Sequence, residues 1–144
     1  DAIRIRILAN SNSKYDQEVK QELKDDVQDY MSELLSGIKT YDDAENKINE
    51  NLENINKKVD NILQRLDYTL PYKVNFGLNY FPTKEYQGIL YDAGYYESLV
   101  ITLGAGEGDN WWCVLFPPLC LLEAEEGKEV EYTSFVKEII DKYV

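Results

Sequence analysis

A chain of 144 residues, 44% hydrophobic and 29% charged, has the size and composition of one domain with one substantial core. A net charge of −12 argues against nucleic acid or an anionic membrane surface as partner, since both need a basic face. Histidine is absent, which excludes Ser-His-Asp and Cys-His machinery, histidine zinc sites and a histidine pH switch, and two cysteines are too few for a four-cysteine zinc site. Carboxylate, lysine or tyrosine chemistry and calcium held by oxygen ligands stay open. No run approaches the roughly 20 apolar residues of a membrane span. The chain begins at Asp1 rather than Met, from which we expect that a leader or anchor has been removed.

Ile3, Ile5 and Ile7 alternate with Arg4 and Arg6, which predicts a strand with one apolar and one wet face. Asn10 to Ser13 is a polar turn, and Ser13 with Asp16 resembles a capping box. Tyr15, Val19, Leu23, Val27, Tyr30, Met31 and Leu34 recur at helical spacing, with Gly37 as candidate C-cap. Thr40 can cap a second helix, with Asp42 and Asp43 in its first turn. Its stripe runs through Ala44, Ile48, Leu52, Ile55, Val59, Ile62 and Leu66, and the residues between form a solvated face. The short turn between the two helices points to an antiparallel hairpin lying on a sheet.

Tyr72, Val74, Phe76, Leu78 and Tyr80 alternate with Lys73, Asn75, Gly77 and Asn79, the cleanest strand signal in the chain. Phe81 to Gly88 reads as loop or edge, Ile89 to Tyr91 as a short strand, and Asp92 to Gly94 as a turn. Tyr95 to Leu103 is a strand with Leu99, Ile101 and Leu103 on one face. Trp111 to Phe116 is a fourth strand or a buried helical turn. Glu123 to Glu129 is an acidic connection, and Val130, Phe135, Val136, Ile139, Ile140 and Tyr143 make a closing helix. This order predicts an α+β fold over one globular domain, residues 1–144. We expect an antiparallel or mixed sheet of about four strands, with the helical hairpin and the C-terminal helix over one face and the other face more open.

The most unusual stretch is Gly104 to Cys120, GAGEGDNWWCVLFPPLC. Gly104, Gly106 and Gly108 have the wrong spacing for a dinucleotide loop, and Glu107 and Asp109 repel phosphate, so a flexible or bulged connection is expected. Calcium on Glu107, Asp109 and Asn110 is conceivable, although the spacing is not that of an EF-hand. In a strand, Trp111 and Trp112 point to opposite faces. Followed by Phe116, Pro117 and Pro118, an exposed tryptophan here makes an interface anchor. Cys113 and Cys120 are six residues apart across a Pro-Pro bend, and composition alone leaves a disulfide and two reduced core thiols equally open. With 27 acids in the chain, proximity of Glu97, Glu107 and Asp109 is weak evidence for a catalytic pair.

Tyr95 to Cys120, YYESLVITLGAGEGDNWWCVLFPPLC, closely resembles stage II sporulation protein R of endospore-forming Firmicutes. IRIRILANSNSKYDQEVK at Ile3 to Lys20 and FPTKEY at Phe81 to Tyr86 support the resemblance, which covers nearly the whole chain. Two departures stand out, an Asn-rich second helix and a start without the family's membrane-proximal leader. The resemblance implies a signalling protein and not an enzyme, with no cofactor and no small-molecule substrate. Members are secreted from the forespore into the intermembrane space. There they trigger a membrane-embedded aspartic protease of the mother cell, which removes the pro-sequence of sigma-E. Export favours a Cys113–Cys120 disulfide. The docking segment expected on this basis is Trp111 to Pro118, presented on a protruding loop by the mobile Gly104, Gly106 and Gly108. Failing that, it is the open sheet face near Arg4, Arg6 and Lys73. The alternative is an exported cell-wall hydrolase using Glu97, Glu107 or Asp109 as acid and base.

Overall fold

The computed structural model describes residues 2–86 and 88–119, and the fold is α+β. The acidic connection, the closing helix and Cys120 lie outside the described residues. The elements are β1 (Ile3–Leu8), α1 (Lys14–Leu34), α2 (Tyr41–Glu50), α3 (Leu52–Arg65), β2 (Tyr72–Phe81), β3 (Lys84–Tyr86), β4 (Ile89–Tyr91), β5 (Gly94–Leu103) and β6 (Asn110–Phe116). The expected sheet is mixed, in the order β2-β5-β1-β6. Strand β1 runs parallel to β5 and antiparallel to β6, and β2 runs antiparallel to β5. A parallel pair needs a long crossover, and the helical layer lies within it. The segment Trp111 to Phe116 forms part of strand β6, so the helical alternative for it is ruled out.

Alternation carries Ile3, Ile5 and Ile7 to one face, where all three are fully buried. Register places Ile5 beside Leu99 and Ile7 beside Ile101. Val19, Leu23, Val27 and Met31 of α1 and Ile55, Val59, Ile62 and Leu63 of α3 close over this face. The second helix differs from expectation in being two. Asn51 stands between them at φ −110° and ψ 10°, and its Nδ2 donates to the Lys47 carbonyl at 2.8 Å. An asparagine amide that serves its own backbone competes with the helix ladder. The apolar stripe continues unbroken across the interruption, so periodicity does not register it.

Two other expectations change. The segment 81–88 is not plain loop, because β3 pairs with β4 in a separate two-stranded hairpin that turns at Gly88, φ 81°. In β2, Tyr72, Val74 and Phe76 are half-buried, but Leu78 and Tyr80, in the same phase, are exposed. Phe81, in the opposite phase, is fully buried on the second face.

The helix starts follow the sequence closely. Ser13 Oγ accepts from the Asp16 N–H at 3.1 Å, and Thr40 Oγ1 accepts from the Asp43 N–H at 3.1 Å. The box at Ser13 is only half formed. The Asp16 carboxylate instead accepts from Ser11 Oγ at 2.6 Å and Asn10 Nδ2 at 2.8 Å, while the Ser13 N–H donates to Ser11 Oγ. Those bonds, Ser11 first and Asn10 second, hold the buried Asp16 carboxyl below the usual carboxylate range against the opposing effect of burial. A depressed folded pKa gives stability that is present at neutral pH and is lost as pH falls through the folded value. Asp16→Asn is expected to cost about 2 kcal/mol at pH 7, the scale of charge-assisted hydrogen bonds. In urea melts the difference from the parent chain shrinks below about pH 4; a pH-independent difference contradicts the assignment.

Candidate partner-binding surface

The connection from β5 to β6 packs tightly against the turn that leads from β1 into α1. Gly104 and Gly106 adopt left-handed φ values of 54° and 65°. The Gly104 N–H donates to the Pro71 carbonyl at 2.7 Å, Glu107 to Asn10 at 3.1 Å and Gly108 to Ala9 at 2.9 Å. Side-chain oxygens of the turn take two further N–H groups, Asn10 Oδ1 from Ala105 at 2.8 Å and Asn12 Oδ1 from Asp109 at 2.7 Å. Lys20 Nζ donates to the Asp109 carbonyl at 3.0 Å. A Cβ built at Gly104 would lie 2.2 Å from Asn10 Oδ1, and one at Gly108 would lie 2.3 Å from the Ser11 carbonyl oxygen. The mobile, protruding loop expected from the glycines is therefore a close-packed bridge, and glycine is required there for approach.

The bridge fixes where β6 starts, and with it the two tryptophans. Trp111 pairs with Ile7 and Trp112 with Arg6, so their side chains leave on opposite faces, as the spacing predicts. Both are half-buried. Trp111 lies on the helical side, its ring centroid 5.8 Å from Lys24 Nζ. Trp112 meets Phe81 edge-on at 5.2 Å on the second face. Farther along the chain, Cys113 and Phe116 of β6 and Pro117 just beyond it are buried, and Pro118 is half-buried. Of the expected contact side chains, Trp111, Trp112 and Pro118 reach the surface. Phe116, only 4% exposed, is core and offers no anchor.

The second sheet face is not the wet, open one expected. Arg4 is 2% exposed. Its guanidinium lies 4.4 Å from the Phe81 ring centroid, 4.7 Å from Tyr96, 5.3 Å from Tyr91 and 6.0 Å from Trp112. Arg6, half-buried, stands 4.9 Å from Phe81 and 5.0 Å from Trp112. Burial lowers the pKa of both guanidinium groups. Sequence reasoning missed this cluster, although Phe81 falls in phase with Lys73, Asn75, Gly77 and Asn79, on the face shared with the arginines. Lys73 itself is exposed on the edge strand β2 and takes no part.

The three singled-out acids do not come together. Glu97 lies near the start of β5, and the strand from there to Leu103 spans about 20 Å, which separates it from the exposed Glu107 and Asp109 beyond the other end. Glu97 instead faces Glu45 of α2. Burial, and then Glu45, hold its carboxyl above the usual range. Among the described residues, no group of three or more His, Cys, Asp or Glu side chains is arranged to hold a metal, and no helix is long and apolar enough to cross a membrane. Leu78, Tyr80 and Tyr95 form a separate exposed apolar strip beyond the helices, with the two tyrosines edge to face at 5.6 Å.

The family model described as Stage II sporulation protein R (spore_II_R) matches residues 1–126, which include every element from β1 to β6. Stage II sporulation protein R of Bacillus subtilis (strain 168) is 40% identical over 130 residues, covering 90% of this chain and 58% of that protein. The chain therefore spans less than two thirds of that relative's length. No solved structure matches it.

The bridge makes a direct prediction. Gly108→Ala drives a methyl group into backbone, which shifts only with its strand, so a loss of about 1–3 kcal/mol is expected in chemical denaturation. A variant as stable as the parent chain would show that the approach at Ser11 is not required.

Proposed function

The chain belongs to the stage II sporulation protein R family, and from that premise we propose that it is an exported sporulation signal. Secreted from the forespore into the intermembrane space, it activates a membrane-embedded aspartic protease of the mother cell, which then processes the sigma-E precursor. The protein performs no catalysis of its own. The observation that carries this reading is the family match over residues 1–126, within which the Trp-Trp strand lies. Its geometry suits a ligand. Trp111 and Trp112 are held half-exposed on the edge strand β6 by a rigid bridge, and rigid aromatic anchors supply most of the energy at hot spots. The cell-wall hydrolase alternative needs paired carboxylates, and the pairing of Glu97 with Glu107 or Asp109 that it would use does not form.

Activation requires that the ligand bind one state of the protease preferentially. In a reconstitution of protease, sigma-E precursor and this chain, cleavage of the precursor should depend on the chain. Truncating a hot-spot anchor costs about 2–4 kcal/mol, a roughly 30- to 800-fold loss of affinity. At least one of Trp111→Ala and Trp112→Ala is expected to show such a loss in activation while keeping its circular dichroism and melting temperature. Phe116→Ala, by contrast, should lose about 3–5 kcal/mol of stability, because it empties core. Normal activation by both tryptophan variants would move the docking face away from β6.

Export places the chain in an oxidising compartment. Our proposal therefore includes a Cys113–Cys120 disulfide, which by the chain-entropy model adds roughly 2–3 kcal/mol for so short a loop. Mass spectrometry after alkylation without reductant should find neither thiol labelled; two labelled thiols in folded protein would refute the bridge.

A further inference from the structure

Two arginines on one strand, two residues apart, project onto a face lined by Phe81, Tyr91, Tyr96 and Trp112. Neither pairs with an acid among the described residues. Tyrosines and Arg6 are the charged or titratable groups that act on Arg4, and burial alone lowers Arg6. Arg4 Nε and Nη1 and Arg6 Nε are buried donors with no acceptor among the described residues. Buried polar groups are nearly always hydrogen-bonded, and a buried charge is normally paired. Ring faces attract a cation but accept none of its N–H groups in plane. Tyr96 is a hydrogen-bond partner of the Arg4 guanidinium, but the cluster supplies these three donors with no acceptor and holds no carboxylate among the described residues.

From this we infer that Arg4 and Arg6 form a carboxylate-binding site, which takes an acidic side chain of the partner protein next to an apolar one. The inference names the chemistry of the partner for the surface proposed above and rests on that reading. A carboxylate fits better than a phosphate dianion for two reasons. The net charge of −12 opposes a dianion more strongly. The aromatic walls suit a ligand whose charge is carried on an apolar stem. The site is approached past Arg6 and Trp112, the half-buried members on β1 and β6.

A buried charge without a counter-charge costs stability, so its replacement by an apolar residue of similar volume should be neutral or stabilising, as it often is for buried ion pairs. Arg4→Met is therefore expected to melt at or above the parent temperature. The binding test uses the folded chain alone, with a blocked Gly-Glu-Phe-Gly peptide, its Gln counterpart and inorganic phosphate as probes. Nuclear magnetic resonance reads the arginine Nε–H and Trp112 indole signals. The Glu peptide should shift these signals saturably, with the Gln peptide at least ~10-fold weaker, the scale of a charge-assisted bond. The shifts should vanish in Arg4→Met and in Arg6→Gln. Phosphate that binds more tightly than the Glu peptide overturns the carboxylate assignment. Absence of any shift, or a marked fall in the melting temperature of Arg4→Met, makes the arginines structural. Because no protease is present, failure here leaves the cleavage result standing, and failure of cleavage leaves this result standing.

Discussion

Everything in the fold depends on β1 being buried on both faces. It lies inside the sheet, paired with β5 on one side and β6 on the other, so its backbone is hydrogen-bonded along both edges. On one face Ile3, Ile5 and Ile7 anchor the helical layer. On the other, Arg4 has to be covered by groups that tolerate a guanidinium, and the aromatic rings of Phe81, Tyr91 and Tyr96 do this. These rings come from β2, β4 and β5, so one region far along the chain from β1 is drawn to one side chain. The β3–β4 hairpin, which pairs only with itself, gains a reason for its position, because Tyr91 at its end lies over Arg4.

A second constraint sits where β1 ends. The turn at Asn10 to Asn12 has to serve the start of α1 and the start of β6 together. Asn10 donates its amide N–H to Asp16 and accepts the Ala105 N–H at its amide oxygen, and Asn12 Oδ1 accepts from Asp109 and from Gln17. Asparagine has the donor and acceptor needed for this on one short side chain. Strand β6 therefore starts in a fixed register, and the pleat sends Trp111 and Trp112 to opposite faces.

Much of this was legible in the sequence, and what was not has physical reasons. The strand at Ile3 to Ile7, the caps at Ser13 and Thr40 and the split of the tryptophans all follow from local periodicity and local hydrogen bonding. The break at Asn51 was hidden because the apolar stripe crosses it without a missed step. The rigidity of the glycine connection was hidden because its partners, Asn10 to Asn12, lie more than ninety positions earlier in the chain. Alternation read Arg4 as wet because a charge in a strand is normally solvated. Only the sheet order, which sets Trp112 on one side and Tyr96 on the other, shows that the face is aromatic.

The same order bears on how an acidic protein could recognise a partner. Most acids of the described residues are exposed, where solvent screens them. Two cations without an acid partner among the described residues, Arg4 and Arg6, are concentrated on one face, in low dielectric, where a charge acts more strongly. A partner approaching the edge strand β6 from this face meets Trp112 and Arg6 together. Apolar burial at the tryptophan gives affinity to many surfaces. A buried donor left without an acceptor penalises every partner that brings none, and discrimination arises from that penalty. A strand carrying both features supplies contact energy and a reason to reject the wrong surface.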